Sequence, residues 1–166
     1  MTEDHLGWVE ISRHLRRMRV TTGLFLAAVP AAIAVAFLAP YRGSSVASPL
    51  TVTLTAAAAS LWIGFVANRD AGNRLEKIRR AFAVHGDESR LLRDHWLVYL
   101  AVLVRLEMMV VCGLIVSLWG LGPGIGVWLL VLGALMMALT WPTARKTQLL
   151  LGRARALRGD VGTLER

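Results

Sequence analysis

Residues 20–39 read VTTGLFLAAVPAAIAVAFLA, twenty consecutive positions without a charge. A helix rises 1.5 Å per residue, so about 20 residues cross a hydrocarbon core of about 30 Å. Three more stretches follow the same logic. Residues 50–67 carry no charge, residues 96–119 carry only Arg105 and Glu107, and residues 126–141 form a slightly shorter run. In lipid, backbone groups must be satisfied within a helix or a closed barrel. No segment alternates with the period of two that barrel strands require. The predicted fold is therefore all-α: a polytopic membrane protein with four transmembrane helices, in a pattern that also reads as a tandem duplication of a helical hairpin.

Composition agrees. Of 166 residues, 55% are hydrophobic and 18% charged, against about 45–50% and about 25% in soluble globular domains. That excess excludes a soluble domain and disorder. A single cysteine, Cys112, excludes an intramolecular disulfide framework and a cysteine-based zinc ribbon.

The basic residues set an expected orientation. Arg13, Arg16, Arg17 and Arg19 precede the first span, seven Lys and Arg lie between Arg69 and Arg93, and six follow the fourth span. The other two connections contain only Arg42. The positive-inside rule then puts both termini and the middle loop in the cytoplasm of a plasma (inner) membrane. Five segments result: a cytoplasmic amphipathic helix over 1–19, a transmembrane hairpin over 20–67, a basic helical loop over 68–95, a second hairpin over 96–143, and a basic C-terminal helix over 144–166. Trp8, Trp96, Trp119, Trp128 and Trp141 fall near span ends, where indoles anchor. The small residues Ser45-Val46-Ala47 could mark signal cleavage, but the preceding apolar run exceeds the usual 7–15 residues. The net charge of +8 reads as anionic lipid headgroups meeting these flanks, not as nucleic acid. The 17 Arg against 2 Lys suggest a bacterial genome rich in GC.

A motif recurs. Arg80-Ala81-Phe82-Ala83-Val84-His85-Gly86-Asp87 and Arg153-Ala154-Arg155-Ala156-Leu157-Arg158-Gly159-Asp160 match at five of eight positions. Each follows a span and a basic linker, as in a parallel repeat. Gly86 and Gly159 are read as helix stops, and spans two and four as running directly into their basic helices. An N-terminal stripe, Trp8, Ile11, Leu15 and Met18, predicts a third amphipathic helix, with Thr2 as its cap.

Few residues offer chemistry. Arg105 and Glu107 are charges inside a span, a costly placement that often marks function or a subunit contact. They stand two residues apart, about 200° around a helix, so they do not pair with each other. Arg105 would lie about 8 Å below the boundary, within snorkelling reach, and Glu107 about 10 Å. Glu107 needs a proton, water or a partner. Pro30 can kink the first span. Thr51 and Thr55 share one face of span two; Thr53 does not. Ala28, Ala32 and Ala36 in span one and Ser60 and Gly64 in span two form small-residue faces that should pack on each other. Spans three and four, bulkier, should face lipid or a partner. His5, His14, His85 and His95 are read as solvated or interfacial, and no cofactor or metal is implied. Asp70, Asp87 and Asp94 lack the Asp-Gly start and fixed ladder by which lipid head-group transferases hold a metal.

The functional expectation is a non-enzymatic structural or accessory subunit, or a self-assembling scaffold, with other membrane subunits or copies of itself as partners. The competing reading is a small oligomeric transporter or channel built on Glu107 and the Thr51/Thr55 face.

Overall fold

The apolar stretches and their basic flanks fold as long helices. A computed structural model describes the backbone of residues 3–39 and 48–164 and the side chains of residues 9–39 and 48–158. The helices are α1 Glu3–Leu38, α2 Pro49–His85, α3 Glu88–Trp119, α4 Pro123–Leu139 and α5 Ala144–Leu164, with no strand among the described residues. Three of them, α1 to α3, are long and apolar enough to cross a membrane; α4 and α5, bent by 55° at their break, count as a fourth if the pair is one span. The chain is an all-α protein with three to four candidate membrane-spanning helices, which makes it a multi-pass membrane protein.

The ends follow capping chemistry. Ser48 Oγ accepts the Thr51 amide at 3.2 Å and starts α2. Gly86 closes α2 with φ +70°, its amide reaching Phe82 O at 2.7 Å. Asp87 then opens α3: its Oδ1 accepts the Arg90 amide at 3.0 Å and the Ser89 hydroxyl at 2.8 Å. These bonds hold the Asp87 carboxyl below the usual carboxylate range. Between α3 and α4 lie only Gly120, Leu121 and Gly122, the last at φ +104°, with Pro123 at the first helical position.

Several expectations are corrected here. Span four does not run on into the C-terminal helix: α4 stops at Leu139, where Thr140 Oγ1 donates to Met137 O at 2.7 Å. Pro142 cannot continue the helix, and Thr143 Oγ1 restarts it by accepting the Lys146 amide at 3.3 Å. Gly159 is no stop, since α5 continues to Leu164. The two copies of the repeated motif therefore end differently, one in a positive-φ glycine and one inside a helix. Helix α1 passes through Pro30 without a break. The side chains of Thr2, His5 and Trp8, and the connection holding Ser45-Val46-Ala47, lie outside the described residues.

The helices divide into two compact units. One gathers the part of α1 up to Thr21, α2 from Arg69, α3 as far as Leu100, and α5. Its core is Phe82, Leu91, Leu92, Leu151 and Ala154, with Ile11 and Ile78 against them. An ion pair joins α5 to the start of α3, Arg155 Nη2 to Glu88 Oε1 at 2.7 Å.

The other unit holds α4 and the remaining, more apolar lengths of α1, α2 and α3. Helix α3 is its most enclosed member: 44% of its most apolar window is buried, against 22% for α1 and for α2. This corrects the expectation that span three faces lipid or a partner; span four buries one seam and leaves Trp128, Val131, Leu135 and Leu139 exposed. The two spans lock together through small residues. A Cβ at Gly126 would fall 2.5 Å from Gly113 O and 2.6 Å from Ser117 N, so the two backbones touch. A Cβ at Gly133 would sit 3.0 Å from Val110 Cγ2. Gly126, Leu130, Gly133 and Met137 form the buried seam of α4, a spacing of four, three and four that keeps one helix face inward. Ser117 spends its hydroxyl within the helix, donating to Gly113 O at 2.9 Å.

Candidate functional site: a histidine pair beside an arginine-lined groove

In the unit with α5, the apolar stripe of α1 carries one polar member. His14 lies three residues after Ile11 and four before Met18, so it points inward with them. It is only 7% exposed. On α3, His95 lies four residues after Leu91 and four before Tyr99, both buried. The two rings meet: His14 Nε2 is 3.1 Å from His95 Nδ1, one nitrogen donating and the other accepting. Their centroids are 5.3 Å apart and their planes tilted by 35°. Burial holds both imidazoles below their ordinary value, His95 down to about 4. At His14 the Arg17 charge adds to that effect, and His14 adds to it at His95. The pair is neutral at pH 7.

Beside the pair lies a groove of about 200 Å³. From α1 it is lined by Glu10, Arg13, His14 and Arg17, and from α3 by Ser89, Leu92, Arg93 and Trp96. Both sets follow the i, i+3, i+4, i+7 spacing of one helix face. Arg13 and Arg17 have no carboxylate within ion-pair distance among the described residues, while Arg93 Nε lies 3.8 Å from Asp94 Oδ1. Trp96 Nε1 is buried without a hydrogen-bond partner. A larger cavity of about 380 Å³ shares Arg13, Arg17 and Trp96 with the groove and adds Arg16, Val20 and Thr21.

Reading the histidines as solvated or interfacial missed this pair. The available signal was helical phase: His14 sits on the stripe of Ile11, Leu15 and Met18. What the sequence could not supply was the partner, 81 residues away.

The residues singled out in the spans fall as follows. Glu107 is half-buried, and its Oε2 is enclosed without a hydrogen-bond partner. Arg105 is half-buried and engaged in an interaction of its own. Ala32 and Ala36 are buried, but Ala28 is exposed and Val29 takes its place inside. Ser60 is buried and donates to Ala56 O at 2.8 Å. Gly64 faces α3, not α1: a Cβ there would meet Met109 Sδ at 3.7 Å.

Thr51 and Thr55 lie on the exposed face of α2, whereas Thr53 is inside. Thr53 Oγ1 donates to Pro49 O at 2.9 Å and accepts the Leu121 amide at 3.0 Å, fastening the α3–α4 turn. Cys112 is half-buried in α3. Among the described residues, no three His, Cys, Asp or Glu side chains are placed to share a metal ion. Compared with family models, curated proteins and solved structures, the chain matches none.

Proposed function

We infer that the chain is a non-enzymatic structural or accessory subunit of a membrane complex, or a self-assembling scaffold, in a bacterial inner membrane with both termini cytoplasmic. Glu107 carries this reading. A carboxylate in the apolar length of α3 keeps one oxygen enclosed and unpartnered within a single copy, while the residue remains half-exposed. The enclosed oxygen is beyond a second copy's reach, but the accessible remainder of the side chain is costly in hydrocarbon unless another subunit meets it. The backbone contact of Gly113 with Gly126 supports the same reading, because it fills the space between α3 and α4 with fixed main chain. The placement of basic residues supports the orientation.

The test compares the wild type with Glu107→Gln by size-exclusion chromatography in mild detergent and by ion flux in liposomes. Weakened assembly with intact insertion is the expected result. Lost flux with an unaltered oligomer would overturn the scaffold and promote the channel, with Thr51 and Thr55, exposed on each copy, as its lining.

A further inference from the structure

We propose that the groove between α1 and α3 binds the phosphate of an anionic phospholipid, with Arg13, Arg17 and Arg93 as its ligands. Three observations converge. The first is uncompensated charge. Arg13 and Arg17 stand one helical turn apart, where like charges repel. Neither has a carboxylate within ion-pair distance among the described residues, and Arg93 joins them around the same groove. An anion between them replaces repulsion with charge-assisted hydrogen bonds, for which the planar guanidinium is suited. Glu10 lines the same groove and opposes the anion. Asp94, 3.8 Å from Arg93, partly compensates that residue. Three cations against two carboxylates still leave the groove positive, with Arg13 and Arg17 supplying the surplus.

The second observation is level. Val20 begins the uncharged stretch of α1 three residues after Arg17, and Trp96 begins that of α3 three residues after Arg93. The guanidinium groups therefore belong where a bilayer places its phosphates, just outside the hydrocarbon, with an indole at the boundary. The third is the adjoining cavity of about 380 Å³, which shares Arg13, Arg17 and Trp96 and is lined also by Arg16, Val20 and Thr21. A free phosphate has no use for it. A lipid has, because its chain continues from the phosphate along that apolar wall. This choice of a lipid over soluble phosphate rests on reading α1 and α3 as membrane-spanning, and not on the scaffold reading.

Delipidated full-length protein in detergent is titrated with phosphatidylglycerol, phosphatidylcholine, glycerol phosphate and inorganic phosphate, and bound adducts are counted by native mass spectrometry. One phosphatidylglycerol is expected to be retained in preference to phosphatidylcholine. Arg13→Gln and Arg17→Gln should each weaken it about tenfold, the loss of one charge-assisted hydrogen bond. Arg153→Gln, equal in charge change but outside the groove, should leave it unaltered.

Glu10→Gln should tighten binding about two- to threefold, the relief of one exposed charge interaction. That variant keeps the test decisive even where an Arg substitution unfolds the unit. Equal retention of the two lipids, or an Arg153→Gln effect as large as that of Arg17→Gln, would overturn the proposal. So would glycerol phosphate competing as well as the lipid, since the site would then take free phosphate. Loss of Glu107-dependent assembly leaves these outcomes unchanged, so the two ideas fail separately.

Discussion

Helix α3 is held in two ways in two regions. In the unit with α4, backbone meets backbone: Gly113, Ser117, Gly126 and Gly133 bring two helices to main-chain contact. In the unit with α5, side chain meets side chain: His14 of α1 bonds His95 of α3. The first attachment has no titratable group and depends on what is missing from each residue. The second depends on what is present, and on its protonation. Closeness in a membrane helix pair is thus carried by absent atoms, while specificity toward a distant partner is carried by a polar pair.

The strongest challenge to this contrast is Gly126→Leu. No rotamer relieves a Cβ lying 2.5 Å from Gly113 O. Overpacking of this kind should cost about 3 kcal/mol or more, measured by thermal or SDS-driven unfolding in detergent. A loss under about 1 kcal/mol would mean that α3 and α4 are not in backbone contact.

Acid should act on the histidine attachment. An unfolded histidine titrates near 6.5 and His95 in place near 4. Between those values the unfolded chain binds a proton that the folded chain does not, so stability falls as pH drops through 6.5 and levels off below about 4. The loss is on the order of 3 kcal/mol. His95→Phe should flatten that slope, and Gly126→Leu should leave it intact. An unchanged slope in His95→Phe would place the titrating group elsewhere.

Thr53→Val removes the acceptor of the Leu121 amide at the turn that sets the glycine contact. Stranding that donor should cost about 1–3 kcal/mol in the same unfolding assay. Gly86→Ala tests the unit with α5: a side chain at φ +70° is strained and would press on the Arg158 guanidinium, at about 1 kcal/mol. Ala28→Leu should change stability by less than about 0.5 kcal/mol, because Ala28 is exposed. A large loss there would restore the alanine face as a packing surface.

The all-helical, membrane-spanning class was legible because it rests on properties that sum along the chain: uncharged run length and the absence of alternation. Contacts were not, because they depend on pairs. Ala28, Ala32 and Ala36 repeat every four residues and looked like a seam, yet a helix of 3.6 residues per turn carries such a repeat slowly around its axis. The buried line shifts accordingly to Val29, Ala32 and Ala36. Gly113 and Ser117, also four apart, were passed over amid bulky Leu, Val and Met. What makes them a contact is the three-residue connection to α4, which forces antiparallel neighbours. The histidine pair was legible in phase and illegible in partnership. Gly159 misled because glycine is permitted to end a helix without being obliged to.

The Thr53 hydroxyl has a consequence for the order of events during synthesis. Its partner amide, Leu121, lies 68 residues downstream. At about 5–20 residues per second, the ribosome delivers that amide roughly 3–14 s after Thr53 itself. Throughout that interval α2 has a hydroxyl acceptor waiting and no closed turn to receive. Until then the turn cannot be fastened to α2, whatever contacts the earlier helices have already made. Closure of the Gly120-Leu121-Gly122 turn onto α2 is timed by its own synthesis, and a pause in translation just before it would delay that bond.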